Sequence, residues 1–197
     1  YKGKKNFGDE LSPFIMKKLL PFHNFHLNEN PKKHKKNLIA LGSYLHEVKD
    51  GFSIFGSGSR KGGFNNSEGL ELISLRGPNT KKILNERGVD CPEKFGDPAL
   101  FMPRFYKPKI DKSLSDKIGF VPHFTDRTDY GMKDDQFHII KPTLPWQTVI
   151  DKICSCKAIL SSSLHGLICA DAYRIPNAWL KYKNLDDGEF KFKDYFL

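Results

Sequence analysis

The sequence predicts an α/β protein whose parallel sheets are flanked by helices, arranged as two halves. Three observations carry this. Short apolar runs recur along the chain, each followed by a turn and then a helical period. The runs are apolar throughout rather than alternating, as strands covered on both faces are. The rhythm lapses once, in VDCPEKFGDPALFMP (89–103), and then resumes, so the halves are placed at 1–104 and 105–197.

In the first half, Ser12-Pro13 reads as an N-cap with proline at the first helical position, followed by Phe14, Ile15, Leu19 and Leu20 on a helical period. Residues 6–12 are then the loop before that helix. No strand precedes the loop, so the natural protein is expected to start further upstream. NLIALGSYLHEV (37–48) reads as strand, Gly-Ser turn and short helix, and GFSIFGSGS (51–59) as a strand entering a glycine-rich loop. LELISLRGPNTKKILNERG (70–88) reads as a strand, a turn at Gly77-Pro78 and a helix stopped at Gly88.

In the second half, KIGFVPHF (117–124) and FHIIKPTL (137–144) read as strands. PWQTVIDKICSCK (145–157) puts Trp146, Val149, Ile150 and Ile153 on one helical face, and AILSS (158–162) is the next strand. In SSSLHGLICADAYRIP (161–176) the serines end that strand, His165-Gly166 make the turn, and Leu167 to Tyr173 form a short helix ending near Arg174. IPNAWLKY (175–182) is the following strand.

Composition narrows the function classes. Charged residues at 28% and hydrophobic ones at 39% fit an ordinary globular protein, and no run approaches a membrane span or a signal segment. Cys91, Cys154, Cys156 and Cys169 fit no disulfide framework or zinc spacing, which points to a reducing, cytoplasmic setting. The formal charge of +9 favours an anionic partner, with much of the excess in YKGKK (1–5) and PKKHKK (31–36). Those runs lack interleaved aromatic residues, so a nucleic-acid partner is not expected, while peripheral contact with an anionic membrane stays open. HNFH (23–26) lacks partners at metal spacing, and no Gly-x-Ser-x-Gly elbow is present; no metal is expected.

Four loops fall where a parallel sheet presents its ligand edge. In NFGDE (6–10), Asn6, Asp9 and Glu10 surround a glycine; Asp9 reads either as a general base or sugar contact, or as a helix cap. In SLRGPNT (74–80), Arg76 reads as an anion clamp or as an inter-domain ion pair. GSGS (56–59) lacks a complete phosphate-binding fingerprint and reads as a plain loop. His165 stands at the positive end of a helix beside small residues, and reads as a proton donor or as a hydrogen-bonded structural histidine.

Taken together, NFGDELSP, GSYL, FGSG, SLRGPNTKKIL, FGDPALFMP, SSSLHGLICADAYRIPNAWL and DGEFKFKDYF resemble, in order, the polysaccharide pyruvyl transferase family. The resemblance implies two Rossmann-like halves facing one another across a cleft, a GT-B-like architecture. It implies phosphoenolpyruvate as donor, no cofactor, and a sugar acceptor on a lipid-linked oligosaccharide at the inner membrane face. The product is a cyclic pyruvate ketal, made with release of phosphate during surface polysaccharide biosynthesis. His165 matches the histidine of the family's S-x-L-H-G segment and takes the acid role; Asp9 is the expected base or acceptor contact. Arg76 matches the arginine of R-G-P and is assigned the donor's phosphate or carboxylate, with Gly77, Ser163, Gly166 and Asn6 in the substrate-binding set. Lys191 is the expected further cation, with Arg174 or Lys183 in reserve. The competing readings are a nucleotide-sugar glycosyltransferase of the same architecture and a basic nucleic-acid or membrane-surface binder.

Overall fold

A computed structural model of the protein describes residues 6–21, 37–126, 134–181 and 189–197. The elements in chain order are α1 (Phe7–Leu19), β1 (Asn37–Ala40), β2 (Phe52–Ser57), β3 (Glu71–Leu75) and α2 (Pro78–Asn85). They continue with α3 (Met102–Phe105), β4 (Ile118–Val121), β5 (Phe137–Ile139), α4 (Trp146–Ser155), β6 (Ala158–Ser161), α5 (Leu164–Ala172), β7 (Asn177–Trp179) and α6 (Glu189–Tyr195). Every strand pair among the described residues is parallel, in keeping with the mostly apolar runs.

The chain divides into two compact units, each drawn from two stretches: Leu20–Pro98 with Asn184–Leu197, and Tyr1–Leu19 with Ala99–Lys183. The change at Pro98 falls inside the irregular 89–103 stretch, but the ends differ from the expected halves 1–104 and 105–197. The first helix groups with the later strands and the last helix with the earlier ones. Burial is the reason: α1 sinks Phe7, Leu11 and Ile15 beside α3 and α4, and α6 sinks Phe192 and Asp194 beside α2. Such exchanges leave no local sequence signal.

The unit of Leu20–Pro98 with Asn184–Leu197 holds a three-stranded sheet in the order β1-β2-β3, with Asn37 opposite Phe52 and Ser53 opposite Glu71. Leu45, Val48, Phe52, Ile54, Phe64, Leu75 and Leu84 form its core. Each such side chain contributes about 1.5–3 kcal/mol when fully buried. At the carboxyl end of β1 the chain turns through two left-handed residues, Leu41 (φ 61°) and Gly42 (φ 71°). Leucine pays about 1–2 kcal/mol there, and the turn aims the Gly42 carbonyl at β2, where it accepts from the Gly58 N–H at 3.0 Å and from Ser57 Oγ at 3.2 Å.

The other unit holds a four-stranded sheet in the order β5-β4-β6-β7. Helix α4 buries the stripe expected of it, Trp146, Val149, Ile150 and Ile153. Two helix starts differ from expectation. α1 begins at Phe7, so Ser12-Pro13 lies inside it and the predicted 6–12 loop is helical. The cap is Asn6, whose Oδ1 accepts from Gly8 N–H at 3.1 Å and whose carbonyl accepts from Asp9 N–H at 3.1 Å. Burial of Phe7, Leu11, Ile15 and Met16 offsets the backbone donor that Pro13 cannot supply. α5 begins at Leu164, so His165 and Gly166 form its first turn rather than a turn before it. The helix stops as expected, by a Schellman motif: Ile175 N–H donates to Ala170 O at 2.8 Å and Arg174 N–H to Asp171 O at 2.9 Å. Arg174 occupies the left-handed position (φ 60°) that glycine usually takes.

Candidate functional site

Strand β6 delivers three buried serines to the carboxyl edge of its sheet. Ser161 Oγ donates to Val121 O at 2.9 Å and also lies 2.8 Å from Ser163 O, while Ser163 N–H donates back to it at 3.0 Å. Ser163 then stands at the N-cap of α5, its carbonyl accepting from Gly166 N–H at 3.1 Å, with no side-chain cap. Gly166 is needed for packing: a Cβ there would stand 2.3 Å from Ser161 Oγ and 3.0 Å from Val121 Cβ. Removing that Cβ lets α5 lie against β4 and β6 and holds its first turn, with His165, at the sheet edge.

His165 is 8% exposed. Its ring lies edge-on to Phe7, centroids 6.5 Å apart, and directly over Gly8, where a Cβ would stand 2.2 Å from Nδ1. The first turn of α1 and the first turn of α5 therefore meet at a glycine and a histidine. This brings Asn6 and Asp9, which flank Gly8 in sequence, onto the turn that carries the His165 contact. Sequence reasoning missed Gly8. Read as part of a loop the glycine carries no signal; only the helical start of α1 makes it unusual, since a helix interior disfavours glycine.

Beside this turn, the loop after β4 is tied to the serines. Ser162 Oγ donates to Asp126 Oδ2 at 2.6 Å, and His123 N–H lies 2.9 Å from both Ser162 Oγ and Asp126 Oδ2. His123 and Asp126 do not stand out in the sequence, which marks Ser162 only as one of the serines that end the strand.

In the other unit, Arg76 is a wholly buried side chain at the end of β3. Its Nε donates to Asp194 Oδ2 at 3.0 Å, and Nη2 stands 2.9 Å from the same oxygen. Nη1 donates to Ser43 Oγ at 2.6 Å and Gly42 O at 3.3 Å, and Nη2 to Ser59 O at 2.7 Å. That accounts for the five N–H donors of a guanidinium. Burial pushes the Arg76 pKa down, opposed by the carboxylates of Asp194 and Asp97. The GSGS turn is thus more than a plain loop: Gly58 makes room for Arg76, since a Cβ would stand 2.5 Å from its Cζ.

Asp194 also completes α2. Gly77 is the N-cap and has no side chain to offer, so the Asp194 carboxylate accepts from Thr80 N–H at 2.7 Å and Thr80 Oγ1 at 2.6 Å. This is the bond a capping aspartate would make from the chain's own N-cap. Gly77 is required by close approach, because a Cβ would stand 1.6 Å from Asp194 O. The carboxylate found at Arg76 and the start of α2 is the protein's own, that of Asp194. The alternative of an inter-domain ion pair is likewise replaced by one within the unit.

Lys191, one helical turn before Asp194 on α6, is 8% exposed with Nζ 5.3 Å from the Phe192 ring centre. Arg76, Gly77 and Lys191 belong to one unit; His165, Asp9, Asn6, Ser163 and Gly166 to the other. Lys183, HNFH and both basic runs lie outside the described residues. Among the described residues, no group of three or more His, Cys, Asp or Glu could hold a metal ion.

The family model for polysaccharide pyruvyl transferase matches residues 14–184. The chain belongs to the polysaccharide pyruvyl transferase family. That span contains Arg76, the β4 loop and the His165 turn; Asn6, Asp9, Lys191 and Asp194 lie outside it. The chain is also 31% identical, over 108 residues, to an uncharacterized protein of Acanthamoeba polyphaga mimivirus. The match covers 51% of this chain and 38% of that relative's length. No solved structure matches. Among the described residues, no helix is long and apolar enough to cross a membrane.

Proposed function

We propose that the protein moves the pyruvyl group of phosphoenolpyruvate onto two hydroxyls of one sugar as a cyclic ketal, releasing phosphate. The observation that carries this reading is the buried His165 at the first turn of α5, pressed against Gly8 at the carboxyl edge of a parallel sheet. The helix N-terminus favours an anion, and histidine as a residue type can carry a proton near neutral pH.

The chemistry needs an acid, a base and cationic groups. His165 gives a proton to the methylene carbon of the donor, leaving a cationic centre at the carbon that bears the phosphate ester. A sugar hydroxyl attacks that carbon and its proton passes to Asp9. The bond from carbon to the phosphate oxygen then breaks, phosphate leaves with the electron pair, and the second hydroxyl closes the ketal as its proton passes to the departing phosphate; the proton taken by Asp9 returns through solvent to His165. Protons and electrons balance without a redox partner. Asn6, Ser163 and Gly166 shape the loops around this centre. Arg76 holds Asp194, and with it α6. The acceptor is a lipid-linked oligosaccharide met at the inner membrane face, in keeping with the positive charge.

The experiment is incubation with phosphoenolpyruvate and a panel of lipid-linked or nitrophenyl glycosides. Phosphate release together with the mass gain of a pyruvyl group is the expected result, abolished in His165→Ala. Thermal protection by nucleotide diphosphates and none by phosphoenolpyruvate would overturn the reading in favour of a glycosyltransferase.

A further inference from the structure

The strand order β5-β4-β6-β7 reverses at β4: the chain goes from β4 to β5 on one side, then crosses to β6 on the other and moves outward to β7. In open parallel sheets the loops leaving the two strands at such a reversal diverge, and ligands bind in the crevice beyond their carboxyl ends. Here those strands are β4 and β6, paired up to Val121 and Ser161. The loop after β6 carries His165. The loop after β4 carries a second histidine, His123, at the corresponding place.

That histidine sits in a built setting. Its backbone N–H is shared between Asp126 Oδ2 and Ser162 Oγ, each at 2.9 Å, and Ser162 Oγ donates to Asp126 Oδ2 at 2.6 Å. Ser162 N–H donates to Val121 O at 3.1 Å, so the two loops are joined where they leave the sheet. The residue is 9% exposed, and its ring lies tilted by 42° against Phe124, centroids 4.6 Å apart. Its Nδ1 lies 2.6 Å from Thr125 Oγ1 and 3.4 Å from the Thr125 N–H that points at it. In the tautomer in which Nδ1 accepts from that amide, the ring proton is on Nε2 and the side chain is a donor.

We propose that His123 is a further substrate-contacting residue of the transferase, donating a hydrogen bond to an anionic oxygen of phosphoenolpyruvate at the β4–β6 reversal. This rests on the function proposed above. An anionic oxygen is the strongest acceptor available to a neutral imidazole N–H. Asp126 and Ser162 position the loop through its backbone, so replacing the His123 side chain leaves their bonds to the main chain in place.

The test compares His123→Ala, His123→Phe, His123→Gln and His165→Ala in the full chain. Readouts are phosphoenolpyruvate binding by calorimetry, KM and kcat from phosphate release, and melting temperature. His123→Ala and His123→Phe are expected to weaken donor binding and raise its KM about 10- to 100-fold, the span of one hydrogen bond to a charged group. Melting should stay within a few degrees, and His123→Gln, which keeps an N–H donor, should recover part of the loss. His165→Ala should lose kcat while still binding the donor. Donor binding and KM within about twofold of the parent in His123→Phe would overturn this inference while leaving the role of His165 standing. A parent protein that fails to bind phosphoenolpyruvate at all overturns the proposed function instead. The phenylalanine variant, which keeps a ring against Phe124, decides the matter should the alanine variant fail to fold.

Discussion

Gly8 and His165 occupy one space: a Cβ on Gly8 would stand 2.2 Å from Nδ1 of the imidazole, 2.7 Å from Cγ and 3.0 Å from Cε1. Two segments far apart in the chain are thereby held at a single contact, and the histidine cannot keep its place if that glycine gains a side chain.

Gly8→Ala is therefore expected to lower the rate of phosphate release about 10- to 100-fold and to destabilise the protein by about 1–3 kcal/mol, the usual cost of overpacking. Helix propensity alone predicts the opposite sign, since alanine stabilises a helical position over glycine by about 0.5–1 kcal/mol. A thermal melt read beside the activity assay checks both, and a stabilised, fully active variant would show that the ring has room to move.

The second prediction concerns Arg76 and Asp194, both with fully buried side chains. Removing one partner of a buried ion pair leaves an uncompensated charge, so Asp194→Ala should cost about 3–5 kcal/mol of stability. Asp194→Asn should cost less, because its amide oxygen can still accept from Thr80 N–H. Arg76→Lys should not rescue, because an ammonium cannot reproduce a planar fork that reaches Asp194, Ser43, Gly42 and Ser59 together. Denaturant unfolding of the three variants measures the order.

His138 supplies a pH dependence. Its Nε2 lies 3.0 Å from Lys152 Nζ, and burial followed by the Lys152 charge pushes its pKa below the ordinary 6.5, against a weaker upward pull from Asp111. A histidine with a lowered folded-state pKa contributes stability that is complete above its unfolded pKa and is lost as pH falls through the folded value. The melting temperature should thus fall on acidification below about 6.5, and His138→Gln should flatten that fall. An identical pH profile in the variant would remove His138 from the account.

The cysteines give a fourth expectation. Burial raises Cys154 to about 12 and Cys156 to about 11, so both thiols are protonated at neutral pH. Only the thiolate reacts readily. Native protein should take up iodoacetamide slowly at these two positions at pH 7.5, and denatured protein quickly, as mass spectrometry of the alkylated peptides would read.

Much of this was legible in the residues. Apolar runs such as FSIF and AILS had to be covered strands, and the buried stripe of α4 follows from the spacing of Trp146, Val149, Ile150 and Ile153. The helix start at Phe7 was not legible, because Ser12-Pro13 carries the stronger local signature while the Asn6 cap gains its force from tertiary burial of Phe7 and Leu11. The start of α5 was misplaced by three residues for a similar reason: glycine reads as a turn, yet Gly166 is in the helix because Ser161 and Val121 stand where its side chain would be.

The sequence by itself determined the alternation of strands and helices, the parallel sheets, and a histidine and an arginine placed at strand ends. These are short-range properties, set by side-chain polarity and by backbone preferences within a few residues. Only the tertiary structure decided what those two residues touch. Arg76 meets a carboxylate 118 positions away, which turns an expected ligand clamp into a clasp for the last helix. His165 meets Gly8, and the loop that leads to it is tied to the loop of His123, because parallel strands distant in the chain end side by side. No periodicity encodes such partners, since they are selected by which surfaces pack once the whole chain has collapsed.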